Sequence, residues 1–229
     1  MIAHCMFEQS GTFKNEFKKL GYEAIDYDIK NDYGQTDRVM DLFEEINKGY
    51  AGGASVFDEI GKDDIILAFF PCVRFECQVQ MMFKGHLYQQ KSWSIKKKLE
   101  KDLELHDELH FNYMTLTRLV LLCISKGLKL MIENPATMPH YLTYYWALDP
   151  AIVDNDRTLN GDYMKKPTQY FFVNMAPKNN IIFEPLNYVD VRVVDKLQTN
   201  GGKSRTVQRS EISPQYASRF IRQFLIDLP

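Results

Sequence analysis

Apolar and polar positions alternate along this chain in blocks that predict a strand–helix–strand series. Ile2–Phe7 is a short apolar run that ends in Glu8-Gln9-Ser10-Gly11. In Thr12–Leu20 the residues Phe13, Phe17 and Leu20 fall on one helical face, and Gly21 stops the pattern. Tyr22–Asp28 reads as a strand, and Asp37–Ile46 carries Val39, Leu42, Phe43 and Ile46 at helical spacing. Asp64–Phe70 is almost continuously apolar, the mark of a strand buried on both faces. A long helix is predicted from about Trp93 to Lys126, charged in its first half and apolar in its second. Gly127 ends it, and a strand follows at Leu128–Ile132. Further strands are predicted at Gln169–Val173 and around Ile181–Phe183. An amphipathic helix is expected from Pro214 to Leu225, with Pro214 in its first turn. Such alternation implies an α/β fold: a mostly parallel sheet with helices on both faces. No internal repeat or low-complexity tract interrupts it.

The length of 229 residues fits one domain with its own core. Hydrophobic residues are 45% and charged residues 25%, ordinary for a globular protein. The net charge of -2 argues against coating nucleic acid by electrostatics alone. The charge is uneven: residues 1–150 are net acidic and residues 151–229 net basic, so a polyanion would meet the C-terminal third. The four cysteines, Cys5, Cys72, Cys77 and Cys123, lack the spacing of a disulfide framework or a zinc site. Cys5 and Cys123 sit in apolar runs and read as core residues. His106 and His110 share a helix face but lack a third ligand, so no metal is expected. No signal peptide or membrane span is visible, and a cytoplasmic setting is expected.

Three motifs carry chemistry. The first is the turn after the opening strand, Phe7, Glu8, Ser10, Gly11 and Thr12, where small residues let a ligand approach the backbone. Asp28, about twenty residues on, closes the second strand where a carboxylate can accept ribose hydroxyls, or serves a turn. Asp37 or Asp58 can reach an adenine edge, or cap a helix. The second motif is Phe69-Phe70-Pro71-Cys72 at the end of the buried strand, where doubly wound sheets place active sites. A cysteine there is a candidate nucleophile, with Cys77 a lesser rival, or else a packing thiol. The third is Ile132-Glu133-Asn134-Pro135, whose carboxyl, if held protonated, can act as an acid facing the same crevice. Basic candidates for phosphate contact are Arg74, Arg157, Lys165-Lys166, the glycine-flanked Lys203-Ser204-Arg205, and Arg209. The Lys96–Lys98 run reads as a solvated helix face.

This order of motifs resembles the DNA cytosine-5 methyltransferase family, in its compact phage and mobile-element form. Phe7–Gly11 is similar to the family's first motif, Pro71-Cys72 to its catalytic Pro-Cys, and Glu133-Asn134 to its Glu-Asn pair. The resemblance covers about residues 2–135 clearly and the remainder faintly. It implies a Rossmann-like methyltransferase fold binding S-adenosylmethionine through Phe7, Glu8, Ser10, Gly11, Thr12, Asp28, Asp37 and Pro71. Residues 1–174 would form the catalytic domain, with a helical insertion at about 75–126. Residues 175–229 would be a reduced C-terminal segment completing the domain. It further implies DNA as substrate, with Cys72 adding to C6 of cytosine, Glu133 assisting at N3, and the base extruded from its stack. Three departures stand out. Val73-Arg74 follows Pro-Cys where the family has Gln, the Cys72–Glu133 spacing is long, and no Gln-x-Arg-x-Arg strand is present. They leave open a non-catalytic binding protein of the same fold, or an enzyme of pyrimidine nucleotides.

Overall fold

The computed structural model describes residues 1–76, 78–138, 140–193 and 205–228, with the backbone alone for 78–80 and 205–207. Seven strands form one sheet: β1 (Ile2–Met6), β2 (Glu23–Asp28), β3 (Arg38–Val39), β4 (Ile65–Ala68), β5 (Lys129–Pro135), β6 (Ile152–Asp154) and β7 (Thr168–Val173). The helices are α1 (Thr12–Lys19), α2 (Leu42–Tyr50), α3 (Gln78–Phe83), α4 (Ile95–Lys126), α5 (Tyr141–Tyr145), α6 (Arg205–Ser210) and α7 (Pro214–Phe220), the last running on into a π-turn at Ile221–Leu225. The strand order is β3-β2-β1-β4-β5-β7-β6. The first five strands pair in parallel, and β7 runs antiparallel to both β5 and β6. The chain is therefore α/β, doubly wound from β1 outward, with a reversed strand inserted near one edge.

Alternation along each central strand builds two cores. Ala3, Cys5, Ile65, Leu67, Met131 and Tyr170 face α1 and α7, and pack on Phe13, Phe17, Tyr216 and Phe220. Met6, Ile66, Ala68, Leu130, Ile132 and Phe171 face the opposite way, toward Leu42, Ile46, Leu116, Leu119 and Cys123 of α2 and α4. Side chains two apart on a strand share a face, so each buried strand feeds both layers. Cys5 and Cys123 are fully buried, as expected of core thiols.

Several boundaries differ from the sequence pattern. The second helix starts at Leu42 rather than Asp37. Asp41 is its N-cap, accepting from the amides of Phe43 and Glu44, while Arg38–Val39 pairs beside β2. The long helix is one piece of 32 residues, capped by Ser94 and closed by Gly127 at φ 67°. Its apolar half lies between β4 and β5 in the chain and packs Leu116, Leu119 and Cys123 against the sheet. No strand forms around Ile181–Phe183, because those side chains are mostly exposed and have no sheet edge to join. The pattern missed β6, three residues with one side chain half exposed, and the short helices α3, α5 and α6. No described helix is long and apolar enough to cross a membrane.

Candidate active site

In a doubly wound sheet the ligand crevice opens at the carboxyl ends of the strands, where the chain's winding reverses. Here that point lies between β1 and β4. Beyond Met6 the chain turns sharply: Phe7 takes φ 62° and Gly11 φ 67°. A Cβ on Gly11 would meet Asn15, Gln35 and Lys14 atoms at 3.3 Å, so any larger residue would be both strained and crowded. Glu8 is buried and accepts from the amides of Phe13 (2.8 Å) and Lys14 (3.3 Å), capping α1 from inside the turn. Burial pushes its carboxyl up to about 7, while the two amide bonds pull it down. Ser10 and Thr12 join their hydroxyls at 3.0 Å within the same turn.

The second half of the crevice is built by β4 and β5. Residue 71 is proline, which lacks the N–H needed to continue a ladder. Asn134 takes over: it is fully buried, and its Nδ2 donates to the carbonyl of Phe70 (3.1 Å) and to that of Glu133 (3.0 Å). This side-chain rung holds Pro71-Cys72 against the end of β5. Cys72 then starts a turn closed by the Phe75 amide (2.8 Å to the Cys72 carbonyl), and buried Phe75 anchors it. The Cys72 thiol is partly buried and donates to Glu76 Oε1 at 3.1 Å. Burial, then the charge of Glu76, pushes the thiol up to about 12; Lys166 opposes this, and Glu133 adds to it. Both Lys166 and Glu133 therefore lie within electrostatic reach of the sulfur.

Glu133 is 6% exposed. Arg157 and Lys166 each stand 3.7 Å from its Oε1, within ion-pair range but beyond hydrogen-bond length. That oxygen has no hydrogen-bond partner among the described residues, and neither have Asn134 Oδ1 and His140 Nε2. His140 is buried, with Nδ1 3.2 Å from Gln169 Nε2. Burial lowers it to about 4, against the upward pull of Glu76 and Glu133. Gln169 in turn donates to the Pro135 carbonyl at 2.8 Å. Thiol, carboxyls, imidazole and ammonium thus share one end of the sheet.

Several predicted site residues have other work. Asp37 pairs with Lys14 (3.3 Å), and the amides of Asp26 and Asp37 each donate to the other's carboxylate, so Asp37 fastens α1 to β2. Asp58 sits in a capping box with Ser55 and pairs with Lys126. Arg157 was expected at phosphates, but it is completely buried. It pairs with Asp162, stacks 4.7 Å over the Tyr216 ring and faces Glu133 from within. Burial works against its charge, yet Tyr170, Asp162, Tyr216 and Glu133 raise its proton affinity above the ordinary value. Arg74 is bound to Glu108 of α4. Asp28 does close β2 at the crevice, half-buried, with its Oδ1 accepting from the Lys30 amide at 2.8 Å. Of the Lys96–Lys98 run, Lys96 is largely exposed and Lys97 lies over Trp93. Arg209 lies half-buried in the last turn of α6. Cys77, Lys203, Ser204 and the side chain of Arg205 lie outside the described residues.

Sequence reasoning missed Glu76, His140 and Gln169. Only Glu76 left a signal, its four-residue spacing from Cys72; the other two join the site through sheet pairing. No group of three or more His, Cys, Asp or Glu side chains able to hold a metal occurs among the described residues. No protein-family model matches the chain, and no curated protein matches it significantly.

Proposed function

We propose that this protein transfers a methyl group from S-adenosylmethionine to C5 of cytosine in DNA, with Cys72 as nucleophile and Glu133 as acid at N3. One observation carries the reading: a thiol and a buried carboxyl whose Oε1 accepts no hydrogen bond lie within electrostatic reach of each other beyond and at the ends of adjacent strands β4 and β5. The sheet order is compatible with a Rossmann-like methyltransferase fold. The first crevice half also suits this donor. Glu8 already occupies the amides at the start of α1, where a dinucleotide would need its pyrophosphate. A cationic, phosphate-free ligand fits such a carboxylate-lined turn, with Asp28 available to its ribose. Phe7, Gly11 and Pro71 would shape the walls.

Bound there, the cofactor supplies an electrophilic methyl group. Cys72 attacks C6 of the flipped base. Glu133 protonates N3, so the electron pair displaced from the C5–C6 bond gathers at C5, which takes the methyl group. Arg157 and Lys166, each 3.7 Å from its Oε1, hold Glu133 in place. Loss of the C5 proton then expels the sulfur.

The test is incubation with labelled S-adenosylmethionine and 5-fluorocytosine-containing DNA. A covalent adduct that disappears in Cys72→Ala supports the reading; cofactor binding with neither adduct nor methyl transfer refutes it. One observation favours a second reading, a pyrimidine nucleotide as substrate: Arg74 and Arg157 are both engaged inside the protein. Transfer to free nucleotides but not to DNA would select it.

A further inference from the structure

We propose that Glu76 is the base that removes the Cys72 proton as the sulfur attacks, an assignment that rests on the methyl-transfer reading above. Cys72 Sγ donates to Glu76 Oε1 at 3.1 Å, so a proton path already exists between the reacting atom and a carboxylate. The contact is built in. The turn from Cys72 to Phe75 sets the four-residue spacing, and the Tyr141 amide clamps it by donating to the Phe75 carbonyl at 2.9 Å.

The surroundings make such a base necessary. With burial and Glu76 pushing the thiol up to about 12, only about one molecule in 10⁵ would carry a free thiolate at neutral pH. Attack from the thiol needs its proton to leave, and the contact with Glu76 offers it a place to go. Besides Glu76 itself, three titratable groups lie near the pair: Lys166 and Glu133 act on the thiol, and His140 lies within reach of Glu76. Lys166 is a cation and cannot accept a proton. Glu133 must give one to N3. His140 has Nδ1 against Gln169 and Nε2 without a partner, but neither nitrogen is hydrogen-bonded to the Cys72 thiol. Glu76 is the group that the thiol already touches.

In the step, the S–H bond breaks and its proton moves to Glu76 Oε1 while the S–C6 bond forms. The C5–C6 π pair shifts to C5, and N3 takes the proton of Glu133. After methylation, water removes the C5 proton, the S–C6 bond breaks, and the sulfur recovers its proton from Glu76 as N3 returns its own to Glu133.

Glu76→Gln and Glu76→Asp test this through two readouts. The first is the pH profile of Cys72 alkylation by iodoacetamide, assigned by mass spectrometry. Loss of the neighbouring anion should move its midpoint down from near 12 in Glu76→Gln. The second is the rate of adduct formation with 5-fluorocytosine DNA at pH 7. It should fall roughly 100-fold in Glu76→Gln although the thiol is now more acidic, with part of the rate restored in Glu76→Asp and by raising the pH. A more acidic thiol that also forms the adduct as fast as wild type, or faster, overturns the assignment. An unchanged alkylation midpoint overturns the contact itself. Absence of any adduct in the wild-type protein fails the methyl-transfer reading, and this assignment with it.

Discussion

The two halves of the crevice treat buried charge in opposite ways. Beside β1 and β2, Lys14 stands 3.0 Å from Asp26 and 3.3 Å from Asp37, and the amide of each aspartate donates to the carboxylate of the other. Beside β4 and β5, Glu133, Asn134 and His140 each leave a buried polar atom without a hydrogen-bond partner, next to a thiol. The first network holds elements together: Asp26 Oδ2 also lacks a hydrogen bond, but Lys14 stands 3.0 Å from it, closer than either cation stands to Glu133. An open network costs stability and is retained where something else must bind. The comparison separates residues that build the site from residues that would act in it.

Substitutions should divide along the same line. The largest effect is expected from Cys72→Ala, which should abolish adduct and methyl transfer, at least about 10⁴-fold, without lowering the melting temperature. Glu133→Gln should come next, cutting single-turnover methylation by roughly 10³-fold with the fold intact. On the other side the order reverses. Lys14→Met should destabilise the protein by about 4 kcal/mol in urea titration, because it leaves fully buried Asp26 unpaired. Adding Asp26→Asn should recover much of that loss.

A pH experiment sharpens the contrast. The folded-state proton affinity of Glu8 is raised, so its stabilising contribution is fully present below about 4.5, its ordinary value, and fades as pH rises through about 7. The fade amounts to about 3 kcal/mol at most. Glu8→Gln should flatten this slope when unfolding free energies are compared at pH 4.5 and 7.5; a slope unchanged from wild type would count against the burial that raises its proton affinity. The smallest effect is expected from Arg74→Ala. Its partner Glu108 is partly exposed, and methylation should stay within about threefold of wild type. A large loss of DNA affinity there would return Arg74 to the substrate surface.

The pairs Pro71-Cys72 and Glu133-Asn134 were legible because each follows an apolar run, and strand ends in parallel sheets face one crevice. Asp28 was legible for the same reason. The pairing of Asp37 with Lys14 was not legible because Lys14 lies on another element, and nothing in local spacing announces that contact. Arg157 looked like a surface cation in a polar stretch. The inward turn at 157–160 and the antiparallel return of β7 bring it under Glu133. His140 and Gln169 are 29 positions apart and meet only because Gln169 pairs with Asn134 across the sheet.

The sequence by itself determined the class of fold, the central strands, the longer helices and the positions of Pro71-Cys72 and Glu133-Asn134 at strand ends, since these follow from periodicities a few residues long. The tertiary structure alone decided the order of strands at the sheet's edge, which cations meet which carboxylates, and which buried atoms remain unpartnered. The physical reason is range: hydrophobic alternation is written locally in the chain, whereas a charge takes its partner from whatever the packed layers bring within a few ångströms.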